Sequence, residues 1–191
     1  MKIAITGHSS GIGKSFAEYL SSRGHQIVGL SKRDGHNIRN IPKILEHIKV
    51  CDMWINNAQA GYAQTELFQH VVEQWHNDNS KMIWIISTIM ASTYQIPQVQ
   101  GMSFKQLAEY RTQKRALEDA VKTAKEQGTK CRLSLIRPGA VATQEYNKAG
   151  ENSADVNEWV KTVCDFYIMC NQYNLFPDEL SLSFKRNTME I

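Results

Sequence analysis

The chain has 191 residues, 42% of them hydrophobic, which fits one globular domain with a sizeable core and excludes a disordered chain. Its formal net charge of +3 arises from 22 basic and 19 acidic residues with no basic cluster interleaved with aromatics, so no nucleic-acid partner is expected. The 4 cysteines, Cys51, Cys131, Cys164 and Cys170, form no C-x-x-C pair and have no histidine at metal-ligand spacing, so they read as buried reduced thiols and no metal site is expected.

The chain opens on the apolar run Lys2-Ile3-Ala4-Ile5, too short to cross a membrane and better read as a first buried strand than as a signal peptide. A cytoplasmic protein without a membrane partner is therefore expected. Thr6-Gly7-His8-Ser9-Ser10-Gly11-Ile12-Gly13 follows directly, and a helical pattern at Ile12, Phe16 and Leu20 begins inside it. Strand, glycine turn and helix in that order bring backbone N–H groups and the positive end of a helix dipole close to a phosphate, so a dinucleotide is the expected occupant.

Gly24 closes this helix, and Gln26 to Leu30 reads as a second strand ending in Ser31-Lys32-Arg33. A short extended piece around His36-Asn37-Ile38 precedes an amphipathic helix over 41–49. Met53 to Asn56 is the next strand. The stretch 65–76 carries Leu67, Phe68, Val71, Val72 and Trp75 on one helical face and leads to Met82-Ile83-Trp84-Ile85-Ile86, a continuous apolar strand of the kind buried on both faces of a parallel sheet. A long helix starts at Ser103, with Ser103 and Gln106 as a capping box, and ends at Gly128. A strand over 132–136 follows, broken by Arg137-Pro138-Gly139; then come a polar loop to about Asp155, a helix over 156–169 and an edge strand at Leu180-Ser181-Leu182. Alternating strands and helices without internal repeat or linker predict a single α/β domain over 1–191, a doubly wound parallel sheet with ligands at the carboxyl ends of its strands.

Four separated signatures lie in one order along this pattern: Thr6 to Gly13, Asn56-Asn57-Ala58, Tyr110-x-x-x-Lys114 and Pro138-Gly139-x-Val141-x-Thr143. In this respect the chain resembles the short-chain dehydrogenase/reductase family over nearly its whole length. The resemblance implies a Rossmann fold with helices on both faces and a nicotinamide dinucleotide held by Gly7, Ser9, Ser10, Gly11, Ile12 and Gly13, by Asn37 and Ile38 at the adenine, and by Asn57 and Ala58 at the adenosine ribose. It also places Pro138, Gly139, Val141 and Thr143 at the nicotinamide and diphosphate. No acidic residue stands at the end of the second strand, where one would bind a ribose 2′-OH and repel a 2′-phosphate; Lys32 and Arg33 there favour NADP(H) over NAD(H).

Tyr110 and Lys114, four apart on a helix, share one face. A free tyrosine, with a pKa of about 10, is a poor base unless a nearby cation favours the phenolate, and Lys114 supplies that cation. Tyr110 is the expected acid/base in hydride exchange with a small carbonyl or alcohol substrate. A third hydroxyl is expected on the substrate oxygen, and Thr88 and Ser87 both qualify, with Ser92 behind them.

The chain departs from the family pattern in three places. There is no room for the usual helix before Asn37, 57–65 is abbreviated, and the helix-borne asparagine of the family has no clear equivalent, with Asn57 or Gln59 as candidate substitutes. The longer segment from Thr88 to Tyr110, with Tyr94, Ile96, Pro97, Val99 and Met102, is a candidate pocket wall, and the loop 144–155 a candidate cover. The resemblance further implies a homodimer or homotetramer through the helices over 65–76 and 103–127. Two rival readings remain: a catalytically impaired dinucleotide-binding regulatory or scaffold protein, and an epimerase or dehydratase using transient hydride transfer.

Overall fold

Alternation along the strands sends successive side chains to opposite faces of one sheet, and both faces are apolar. The computed structural model describes residues 1–93, 101–143 and 149–184. Its elements run β1 (Lys2–Thr6), α1 (Gly11–Ser22), β2 (Gln26–Leu30), α2 (Ile41–Ile48), β3 (Met53–Asn56), α3 (Ala63–Trp75), β4 (Met82–Ile86), α4 (Phe104–Glu126), β5 (Arg132–Pro138), α5 (Val156–Gln172) and β6 (Glu179–Leu182). All strand pairs are parallel, in the order β2-β1-β3-β4-β5-β6.

Ala4, Trp54, Ile83, Ile85, Leu133 and Leu135 pack with α2, α3 and α4 on one face. Ile3, Ile5, Met53, Ile55, Trp84, Ile86 and Ile136 pack with α1 and α5 on the other. The fold is thus the doubly wound α/β sheet expected from the sequence. Chain order reverses between β1, which pairs with β2 on one side, and β3 on the other, and a crevice opens at the carboxyl ends of strands at such a switch point.

The missing helix before Asn37 appears as a single 3₁₀ turn over Lys32–Asp34, closed by Gly35 at φ +78°. The piece around His36-Asn37-Ile38 is not a strand: β2 is the sheet edge, so no neighbour is available to pair with it. β5 continues through Pro138, which pairs with Leu182 of β6 at the strand end. The Ser103–Gln106 capping box is present, Asp155 caps α5 through the N–H groups of Asn157 and Glu158, and α5 extends three residues past Met169. All four cysteines are free and buried, and burial pushes the Cys131 and Cys164 thiols up to about 12. Among the described residues, no helix is long and apolar enough to cross a membrane. Tyr94, Ile96, Pro97 and Val99, and residues 144–148 of the polar loop, lie outside the described residues.

Candidate active site

The glycine turn is pinned to the loop after β3. Thr6 Oγ1 donates to the Ile55 carbonyl at 3.3 Å and accepts from the N–H groups of Asn57 at 3.1 Å and Ala58 at 3.3 Å. Asn57 Nδ2 donates to the Thr6 carbonyl at 3.0 Å. Gly7 has φ +73°, and a Cβ on Gly13 would lie 2.3 Å from the Gly7 carbonyl oxygen, so α1 can press against β1 only with glycine there. Ser10 at the start of α1 makes no side-chain cap, and no acidic residue occupies the first turn, so those N–H groups are left to an anionic ligand.

Beside this turn lies a cleft of about 460 Å³. Gly7, Ser9, Ser10, Asn37, Ile38, Asn57 and Ala58, seven of the positions the resemblance assigned to a dinucleotide, line it together with the basic pair Lys32 and Arg33. Thr143 reaches the same turn, its Cγ2 3.3 Å from where a Cβ of Gly11 would stand. Ile12 and Val141 instead pack into the core on the α1/α5 face. Gly139 is required by close chain packing: its Cβ would fall 2.8 Å from Ser183 Cα, and its N–H donates to the Leu182 carbonyl at 2.8 Å.

At the carboxyl end of β4 the structure separates the two candidate hydroxyls. The Thr88 side chain stands beside the Tyr110 hydroxyl and favours its ionised form, whereas Ser87 Oγ donates to Glu118 Oε1 at 2.5 Å. Adjacent residues of an extended chain point opposite ways, so only Thr88 is brought to Tyr110. Ser92, exposed, donates to the Ile89 carbonyl at 3.1 Å.

Lys114 is 3% exposed, and its Nζ donates to Gln64 Oε1 and to the Ile86 carbonyl, each at 2.9 Å. Nζ lies 5.8 Å from the Tyr110 ring centroid. Burial pushes Lys114 down from 10.5 to about 7, against the opposing pull of Glu118. Burial also raises the Tyr110 hydroxyl above its ordinary value, and the neighbouring Thr88 side chain only partly offsets this. In the dinucleotide-free chain burial is thus the larger influence on both groups, and Lys114 Nζ is held by Gln64 and the Ile86 carbonyl.

Gln64 was not singled out in the sequence. It is 2% exposed, and its Nε2 donates to the Asn56 carbonyl at 2.9 Å and the Ile86 carbonyl at 3.1 Å. With its nitrogen committed to two carbonyls, the amide oxygen must face Lys114. Of the two candidate substitutes for the family asparagine, Gln59 bonds Gln113 at 2.5 Å and Asn57 is spent on the glycine turn. Two arginines of α4 were also missed: Arg111 Nε donates to the Met90 carbonyl at 2.8 Å and its guanidinium also to that of Thr93, while Arg115 Nε donates to the Ala91 carbonyl at 3.0 Å. They staple the 3₁₀ turn Ile89–Ala91 to α4 and so hold Thr88 against Tyr110. Arg137 grips Glu118 through Nε at 3.0 Å and Nη2 at 2.9 Å, and Glu179 through Nη1 at 2.6 Å, tying α4 to β5 and β6.

Comparison with known proteins bears on the family and the fold. The model of the NAD dependent epimerase/dehydratase family matches residues 3–164. No curated protein matches the sequence. A short-chain dehydrogenase/reductase from Vibrio parahaemolyticus superposes with a TM-score of 0.72 at 12% identity, over 96% of this chain and 100% of that one. A short-chain dehydrogenase from Burkholderia cenocepacia J2315 in complex with NADP gives 0.70 at 16% identity, over 96% and 88%. A 4-hydroxyisoleucine dehydrogenase complexed with NADH gives 0.69 at 16% identity, over 95% and 96%. At such identities the superpositions speak for the fold alone, while the family match spans most of the chain. The chain belongs to the NAD dependent epimerase/dehydratase family.

Proposed function

We propose that the protein is an NADP(H)-dependent oxidoreductase interconverting a carbonyl and an alcohol. The observation that carries this reading is the meeting of Thr88, Tyr110 and buried Lys114 at the carboxyl end of β4, in a sheet whose glycine turn opens on a cleft. The cleft fits a dinucleotide: uncapped N–H groups face the diphosphate position and the basic pair Lys32 and Arg33 stands at its β2 end. Bound there, the reduced dinucleotide supplies hydride to a carbonyl carbon. Tyr110 gives its hydroxyl proton to the carbonyl oxygen, and Thr88 holds that oxygen by hydrogen bond. Tyr110 carries its proton at neutral pH, as a tyrosine ordinarily does, and so can serve as the acid of the reductive step. Lys114 would stabilise the phenolate left behind, and the family resemblance gives it the nicotinamide ribose hydroxyls to hold as well.

NADPH is expected to bind more tightly than NADH, because charge-assisted hydrogen bonds from Lys32 and Arg33 to the 2′-phosphate contribute about 1.5–3 kcal/mol each. Titration by cofactor fluorescence checks this: the double substitution Lys32→Ala/Arg33→Ala should erase the preference, and equal affinities in the unsubstituted chain would contradict it. The chain is further proposed to form a homodimer or homotetramer through α3 and α4, between which an open groove of about 700 Å³ is lined by Phe68, Val72, Ala116 and Ala120. Sedimentation at micromolar concentration should give an assembly of two or four chains, and a single chain would contradict it.

A second reading, a dinucleotide-binding regulatory or scaffold protein without turnover, draws on the engagement of Lys114 by Gln64 and Ile86. It shares the cleft and differs in giving no product under any carbonyl substrate.

A further inference from the structure

We propose that His8 and Gly29 form a seat that holds the Asp34 carboxylate away from the dinucleotide cleft, and that this seat sets the preference for a 2′-phosphorylated dinucleotide; the proposal rests on the NADP(H) reading above. The turn after β2 carries two cations and one anion in sequence, Lys32, Arg33 and Asp34. A carboxylate near the end of this strand accepts from a ribose 2′-OH and repels a 2′-phosphate. Left to swing, Asp34 would therefore work against the two basic residues beside it.

The structure turns it elsewhere. Lys32 and Arg33 line the cleft, and neither Asp34 nor His8 does. Asp34 Oδ2 accepts from Ser31 Oγ at 2.6 Å and stands 3.5 Å from His8 Nε2. The His8 ring has a fixed place: a Cβ built on Gly29 would lie 2.4 Å from its Cδ2 and 2.5 Å from Nε2, so any other residue at position 29 would displace the ring. Gly29 sits mid-strand in β2, opposite Ile5, and has no positive φ, so the approach of His8 is what accounts for a glycine there. His8 Nδ1 is buried without a partner, leaving Nε2 as the ring's polar contact, and that contact is Asp34. Lys43 Nζ, donating to the Gly35 carbonyl at 3.1 Å, closes the turn from the α2 side.

The test is a double-substitution cycle read by NADPH and NADH binding, with the melting temperature of each variant as a folding control. His8→Ala should weaken NADPH about three- to tenfold, as expected for a carboxylate released among partly exposed charges, and should tighten NADH through the ribose 2′-OH. Asp34→Asn alone should change NADPH affinity by no more than about twofold, since the carboxylate is already turned away. The pair His8→Ala/Asp34→Asn should return NADPH binding to that of the unsubstituted chain, because His8 acts only through Asp34. A loss in His8→Ala that Asp34→Asn does not repair would mean that the imidazole serves the phosphate directly, and the seat would be overturned. So would a His8→Ala variant unchanged toward both dinucleotides. If the unsubstituted chain binds NADPH and NADH alike, the NADP(H) reading fails on its own; the seat then stands if His8→Ala tightens NADH in an Asp34-dependent way and falls if it does not.

Discussion

Tyr110→Phe is expected to lose at least about 100-fold, and up to about 10,000-fold, in turnover while NADPH affinity changes little. Phenylalanine keeps the half-buried ring and its packing beside Lys114 and removes only the hydroxyl with its transferable proton. Single-turnover rates with saturating NADPH, set beside a binding titration, separate the two effects. Turnover at the parental rate would remove Tyr110 from the chemistry and leave a dinucleotide-binding protein whose reaction, if any, lies elsewhere.

Lys114→Met should behave differently, because it removes the cation proposed to stabilise the phenolate together with the proposed contact to the nicotinamide ribose. Turnover should fall about 100-fold or more and NADPH affinity should fall with it. Gln64→Leu offers the matching test from the other side of the bond. It takes one acceptor from a buried ammonium and leaves the Asn56 and Ile86 carbonyls without the amide donor, so turnover should drop about 10- to 100-fold and stability by about 1–3 kcal/mol. A pH dependence follows from burial as well. Folding takes Lys114 from 10.5 to about 7, so between those values the unfolded chain binds a proton that the folded chain lacks. The folded state of the dinucleotide-free chain is therefore penalised at the low end of that range and gains stability as pH rises. Relative to Lys114→Met, the melting temperature of the unsubstituted chain should climb between about pH 7 and 9, and parallel curves would contradict a buried, depressed Lys114.

How much of this was legible beforehand depended on whether the signal was local. β2, β3 and β4 fall on the residues where short apolar runs placed them, and for β3 and β4 the reason is burial on both faces, which leaves a continuous apolar stretch. α4 starts where Ser103 and Gln106 cap it, for a reason contained in four consecutive residues. α3 begins at Ala63 rather than position 65, because its first turn is set by Gln64 bonding to β3 and β4 and not by the periodicity of its own apolar face. The glycine turn and Tyr110-x-x-x-Lys114 were legible because each is one strand–turn–helix or one helix face. The choice between Thr88 and Ser87 was not, since it turns on which side of the strand end α4 crosses. Gln64 was invisible for the same physical reason: its partners Asn56, Ile86 and Lys114 come from three segments that meet only in the folded chain. Asp34 likewise counts as a nearby acid in the sequence, and only the fold turns it toward Ser31 and His8.

The most direct measurement of the central claim follows the hydride itself. NADPH deuterated at the nicotinamide C4 would be incubated with a panel of aldehydes, ketones and quinones, in the native chain and in Tyr110→Phe. The expected result for at least one carbonyl is stoichiometric oxidation of the cofactor with deuterium on the new carbinol carbon, lost in Tyr110→Phe. NADPH that binds yet is never oxidised, with no deuterium in any product, would contradict an oxidoreductase and favour a protein that holds its dinucleotide for regulation or for hydride transfer without net redox.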